Sequence, residues 1–149
     1  MNRSTAPTGW HLHSQLAEDT HPVARFALSD LQLMDDANHP WLILVPRVEN
    51  AVEWVDLDES QQAELTREIG RACRALQAVF QPHKLNVAAL GNMVPQLHVH
   101  VIARFKSDDA WPRPVWGGLP APPYEAAQAV KRVNDVRGAL RLRGVTQGT

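Results

Sequence analysis

The segment Gln96-Leu97-His98-Val99-His100-Val101-Ile102 alternates polar and apolar side chains with a period of two. In an extended strand, alternate residues point to the same face. Leu97, Val99 and Val101 then face a core. Gln96, His98 and His100 line the opposite face, each roughly 6–7 Å from the next. Two imidazoles and an amide in a row are costly to bury without partners, and packing would be served better by apolar side chains. The competing reading is a pair of surface histidines on a half-exposed strand.

The rest of the chain supplies a frame for that strand. Trp41-Leu42-Ile43-Leu44-Val45 is a continuous apolar run of strand length ended by Pro46, which predicts a central strand buried on both faces. Phe26 and Leu28, then Leu31 and Leu33, alternate around Ser29-Asp30 and predict a hairpin turning there. Residues 35–40 read as a loop ending in Pro40, and residues 10–19 as a short helical turn. Asp58 and Gln61 have the spacing of a capping box. Leu65, Ile69, Ala72, Leu76, Val79 and Phe80 then recur every three or four residues, predicting a helix that Gln81-Pro82 terminates. Cys73 lies in the same stripe and reads as a small core residue. Strands are predicted from Leu85 to Leu90 and from Leu97 to Phe105, with a turn at Gly91-Asn92. The stretch 106–123 holds Trp111, Trp116 and five prolines and reads as an extended loop. A second helix is expected over about 124–142. The fold class is therefore α+β: an antiparallel sheet of about five strands, a long helix packed on one face and a C-terminal helix. One domain is expected over residues 1–149, with its core at about 20–105.

Composition narrows the function classes. The chain is 44% hydrophobic and 21% charged, as in a globular protein. Fifteen Lys and Arg against sixteen Asp and Glu give a net charge of -1, which argues against a general nucleic-acid or membrane-surface binder but leaves room for a local phosphate pocket. One cysteine excludes an intrachain disulfide and fits a reducing compartment. No apolar run approaches the roughly 20 residues that cross a bilayer. Met1 to Gly9 lacks the apolar centre of a secretory signal, so a cytoplasmic location is expected.

The residues leave two chemistries open for His98 and His100. Two imidazoles on one strand face can bind a metal ion. That reading needs further ligands, and His11, His13, His39 and His83 all lack a diagnostic spacing. Alternatively, one imidazole attacks an electrophile while its neighbours supply protons and hydrogen bonds. Arg104, four residues beyond His100 on the same face, either neutralises phosphate charge or closes a salt bridge at the strand end.

Gln96 to Ile102 resembles the signature of the histidine triad superfamily, His-φ-His-φ-His-φ-φ with φ apolar, at two of the three histidines and all four apolar positions. Trp41 to Pro46 followed by Arg47, the capped helix from Asp58, the strand from Leu85 and the loop Gly91 to Pro95 come in that family's order, so the resemblance covers about residues 20–105. The run Leu85 to Asn92 ahead of Val94 to His100 is similar to a bacterial branch labelled diadenosine tetraphosphate hydrolase-like.

The resemblance implies a nucleotide phosphoanhydride or phosphoramidate hydrolase or nucleotidyl transferase, in which His98 attacks the α-phosphorus and His100 assists the leaving group. Gln96 stands where the family has its first histidine; it can orient a neighbour but cannot carry a proton. Trp41 stands where many members have another histidine, with His39 two residues before it. The resemblance also implies that Asn92 and the loop amides bind phosphate oxygens, and that Asp35 or Asp36 holds the ribose hydroxyls. Trp111 and Trp116 either cover the pocket or cap an apolar patch or subunit contact, and Trp54 is expected to pack. No cofactor is required, a divalent cation accompanying only a polyphosphate substrate. The partners implied are a nucleotide and a second copy of the chain. The alternative is a nucleotide-binding module with weak or no turnover, and below it a His-x-His metal-binding protein.

Overall fold

The computed structural model describes residues 9–118 and 120–145, with side chains to residue 141. The stretch before Gly9, read above as lacking the apolar centre of a secretory signal, lies outside the described residues. The elements run α1 (Ser14–Asp19), β1 (Thr20–Arg25), β2 (Ser29–Met34), β3 (Trp41–Pro46), a single 3-10 turn (Trp54–Asp56), α2 (Glu59–Phe80), β4 (Lys84–Ala88), β5 (Val99–Arg104) and α3 (Ala126–Val145). The five strands form one sheet in the order β1-β2-β3-β5-β4, every neighbouring pair antiparallel. The α+β architecture read from the sequence is the one observed.

β3 is buried at all six positions, as its unbroken apolar run predicts. Leu42 and Leu44 face α2 and α3, joining Leu31, Leu33, Val99, Val101, Leu65, Leu76 and Val136 in the main core. Trp41, Ile43 and Val45 face the other way and meet Ile102, Val94 and Leu16, with Trp10, Leu12 and Trp116 packed around them. Both long helices thus cover one face. The opposite face is covered by α1 and loops, and it carries the two histidines.

The helix boundaries follow local chemistry. The Asp58 carboxylate accepts the Gln61 N–H at 2.8 Å, and the Gln61 side chain accepts the Asp58 N–H at 2.9 Å, closing the capping box. Gln81 ends α2 in the left-handed conformation. Burial pushes the Cys73 thiol up from its ordinary value, as suits a packing residue. Trp54 departs from expectation: it is 50% exposed beside Val55 on the 3-10 turn.

The first hairpin also turns elsewhere than predicted. Ser29 and Asp30 lie inside β2, opposite Pro46 and Val45, and the reversal occupies Phe26 to Leu28. Two distant buried side chains fix it there. The Glu68 carboxylate, 1% exposed on α2, accepts the N–H groups of Leu28 and Ser29, each at 2.9 Å. The Arg47 guanidinium donates to the Asp30 carboxylate at 2.9 Å and to the carbonyls of Phe26 and Ala27. Burial pushes the Glu68 carboxyl up, opposed by the N–H of Leu28.

Removing Glu68 leaves two buried donors without an acceptor. Glu68→Ala is expected to lower unfolding stability by about 3 kcal/mol. Glu68→Gln, which retains one acceptor oxygen, should lose about half as much. Urea midpoints of the two variants check the ordering.

Candidate active site

β5 begins at Val99, two residues later than predicted, so His98 sits on the approach to the strand and His100 within it. The alternation nevertheless holds: Leu97, Val99 and Val101 lie in the main core while Ile102 faces the opposite cluster. His98 is 6% and His100 5% exposed, which removes the surface-histidine reading. Their ring centroids are 4.9 Å apart in an edge-to-face arrangement.

Each ring has one nitrogen committed. His98 Nδ1 lies 2.7 Å from the Gln96 carbonyl oxygen. A carbonyl only accepts, so Nδ1 holds a proton, and of the two neutral tautomers this contact selects the one with a bare Nε2 lone pair. His100 is fixed in the opposite sense. The Trp41 indole N–H donates to His100 Nδ1 at 3.0 Å. An indole only donates, so Nδ1 is bare and Nε2 carries the hydrogen. The pair therefore offers one nucleophilic nitrogen and one N–H donor. Burial, reinforced by the neighbouring His98 imidazole, pushes His100 down to about 4, so it is a neutral donor at pH 7.

The rings open into a cavity of about 460 Å³ whose lining includes Asn92, Met93, Val94 and Trp116. Gly91, at φ +71°, supplies the left-handed turn that brings this loop back over His98. Trp116 stands edge-to-face to both His100, at 5.2 Å, and Trp41, at 5.9 Å. Of the two loop tryptophans it is the one that walls the pocket. Trp111 packs instead on His83 and lies over Arg104.

Several expected site residues are engaged elsewhere. Arg104 is 1% exposed. It makes a two-pronged pair with Asp108 at 2.9 and 3.0 Å and donates to Asn86 Oδ1 and the Arg113 carbonyl. Of the two readings open to it, the salt bridge is the one realised, because Asp108 folds back from the loop beyond the strand. Asp108 also accepts the N–H groups of Phe105, Ala110 and Trp111, which ties the start of the tryptophan loop to β5. The Arg104 pairing holds its carboxyl well below the usual range.

Asp35 binds the His21 ring and accepts the Tyr124 N–H. Asp36 accepts the N–H groups of Asn38 and His39 and faces the His39 ring. Neither carboxylate lines the cavity of His98: Asp36 closes its own loop, and Asp35 ties that loop to β1 and to Tyr124. His39 is buried between Asp36 and Asp108. Gln96 lines a separate cavity with His11, His13, Glu49 and Asn50, its amide bonded to the backbone of His11 and His13. Asn92 alone among the proposed phosphate and ribose ligands stands with the two histidines. Among the described residues no three His, Cys, Asp or Glu side chains converge as a metal site would require.

Residues 15–107 match the HIT domain family. The chain belongs to the histidine triad (HIT) family. Its members are generally nucleotide-binding hydrolases or transferases. A histidine triad protein of Bradyrhizobium japonicum is 50% identical, with 88% of this chain and 98% of that one covered at a TM-score of 0.85. HIT proteins of Marinobacter aquaeolei and Sinorhizobium meliloti are 43% and 37% identical, each with 89% of this chain covered and with 97% and 98% of their own, both at a TM-score of 0.86. No curated protein matches. Within this HIT fold, position 41, singled out because a tryptophan replaces a family histidine, contributes its indole N–H to His100 from 59 residues away, and the contributor that the motif did not reveal is the Gln96 carbonyl as proton acceptor.

The depressed His100 predicts a pH dependence of stability. Unfolded, the imidazole takes a proton near 6.5; folded, it does so only near 4. Between those values the unfolded chain binds more protons, so stability falls as pH drops through that window. Wild type is expected to lose about 2 kcal/mol between pH 7 and pH 5 that His100→Gln does not lose. Denaturant midpoints of both proteins at the two pH values measure the difference.

Proposed function

We propose that the protein is a nucleotidyl-transferring hydrolase that cleaves a nucleotide phosphoanhydride or phosphoramidate through a covalent intermediate on His98. The opposed tautomers of His98 and His100 carry this reading: a bare Nε2 beside an N–H donor is the arrangement that displacement at phosphorus needs.

The His98 Nε2 lone pair attacks the α-phosphorus, forming a P–N bond as the bond to the leaving group breaks and its electrons leave with that group. The Nε2–H of His100 hydrogen-bonds the departing atom as charge grows on it; a departing amine nitrogen also takes up a proton from solvent, which the hydrolysis step returns. Water then attacks the same phosphorus, the P–N bond breaks, its electrons return to Nε2, and a proton is released with the nucleotide. The loop Gly91 to Val94 lines the cavity where the phosphoryl oxygens would rest, with Asn92 as the side-chain ligand. By resemblance, the substrates to test first are diadenosine polyphosphates and nucleoside phosphoramidates. A divalent cation enters only as counter-ion of a polyphosphate.

The second copy of the chain belongs to the same proposal. Among the described residues β4 ends the sheet with its outer edge unpaired, and nearby Val87, Leu90 and Met93 are 48%, 47% and 92% exposed. An unpaired edge beside apolar side chains favours strand pairing across a two-fold axis.

The test is acid-quenched mass spectrometry after mixing with a panel of adenylated and guanylated compounds. The expected result is a nucleotidyl adduct mapped to His98. His98→Ala should keep the fold, form no adduct and lose several powers of ten in turnover, of the order seen when other nucleophiles are removed. Near wild-type turnover in His98→Ala would overturn the covalent route. Nucleotide binding without any adduct would favour the binding module.

A further inference from the structure

We propose that Gln96 is a positioning residue: its side chain clamps the segment His11 to His13, and the clamp holds the peptide whose carbonyl orients the His98 ring. This rests on the proposed nucleophilic role of His98 but concerns a residue that does not line the His98 cavity.

The peptide unit joining Gln96 to Leu97 is held at both ends. Its N–H donates to the Ala51 carbonyl at 3.0 Å. Its carbonyl accepts from His98 Nδ1 at 2.7 Å. A plane pinned at its N–H alone still rocks about that bond, and the His98 ring would rock with it. The missing restraint comes from the Gln96 side chain. Oε1 accepts the His13 N–H at 2.9 Å, and Nε2 donates to the His11 carbonyl at 2.9 Å. A flexible primary amide offers an acceptor oxygen and a donor nitrogen side by side, which here satisfy a backbone donor and a backbone acceptor two residues apart. A histidine here in its neutral form also offers one donor and one acceptor, but on a rigid ring whose nitrogens diverge.

The clamped segment is itself anchored. Trp10 and Leu12 pack against the cluster of Trp41, Ile43, Val45 and Val94. His13 caps α1, its Nδ1 accepting the Gln15 N–H. The segment is therefore a brace between α1 and the wall behind His100. Both imidazoles are then referred to one apolar cluster, His100 through Trp41 and His98 through the clamp. On this view, glutamine at the first triad position trades a titratable group for a mechanical one.

The segment offers a test that leaves Gln96 untouched. His13 has φ -55°, within the range proline adopts. His13→Pro deletes the N–H that Gln96 Oε1 accepts. His13→Ala deletes the same cap while keeping that N–H, and serves as the control. Gln96→Met keeps the side chain's length and removes both clamp bonds.

Two readouts are taken: the single-turnover rate of adduct formation, and the ¹⁵N chemical shifts of the His98 ring, which report its tautomer. His13→Pro and Gln96→Met should each slow adduct formation by about tenfold or more with little change in KM. Each should also shift His98 from a pure Nδ1–H tautomer toward a mixture. His13→Ala, which loses the α1 cap but keeps the clamp N–H and the packing of Trp10 and Leu12, should keep the wild-type tautomer and slow adduct formation by less than about twofold. Combined, His13→Pro and Gln96→Met should cost no more than either alone, because they cut one connection. Additive losses, or a His98 tautomer unmoved in folded Gln96→Met, would overturn the clamp. If wild type forms no adduct with any nucleotide, the proposed function fails, while the tautomer shifts still decide the clamp.

Discussion

A buried imidazole must have its nitrogens accounted for, and two adjacent ones multiply the demand. Here each Nδ1 is satisfied by a group that can play only one role, a carbonyl for His98 and an indole N–H for His100. That opposition is what makes the pair asymmetric without a charge. It requires Trp41 on β3 to reach across to β5, which the antiparallel register provides by setting Trp41 opposite Ile102 and Ile43 opposite His100. It also requires the sheet face carrying the rings to be dry, which the apolar cluster of Trp41, Ile43, Val45 and Ile102 achieves. The helices on the far face leave this face to α1 and the loops, and hence to a cavity.

Much of this was legible in local patterns. The apolar run Trp41 to Val45 identified a strand buried on both faces, Asp58 with Gln61 marked the start of α2, and the alternation around His98 and His100 assigned their face. Each depends on neighbours within a few residues. The misreadings share the opposite trait. The first turn moved because Glu68 holds the N–H groups of Leu28 and Ser29 from some 40 positions away. The Gln96 amide faces away from the His98 cavity, its carbonyl alone staying with the ring, because its side-chain partners lie 83 and 85 residues earlier. Asp35 and Asp36 fit a family position in order but not in space, since their oxygens were already committed to their own loop and to Tyr124. The family resemblance carried the fold and brought His98 and His100 to one face; it could not carry partners that the family pattern does not contain.

The pairing of Arg104 with Asp108 sets the electrical character of the site. With that guanidinium turned toward Asp108, Asn86 and the Arg113 carbonyl, no lysine or arginine lines the cavity among the described residues. An anion entering the cavity would meet oriented dipoles there, in place of a formal cation. Long-range attraction is correspondingly weak, and what attraction exists acts at contact distance, where dissolved salt screens little. Capture of an anion by such a pocket would depend little on ionic strength, its selectivity coming from shape and hydrogen-bond direction.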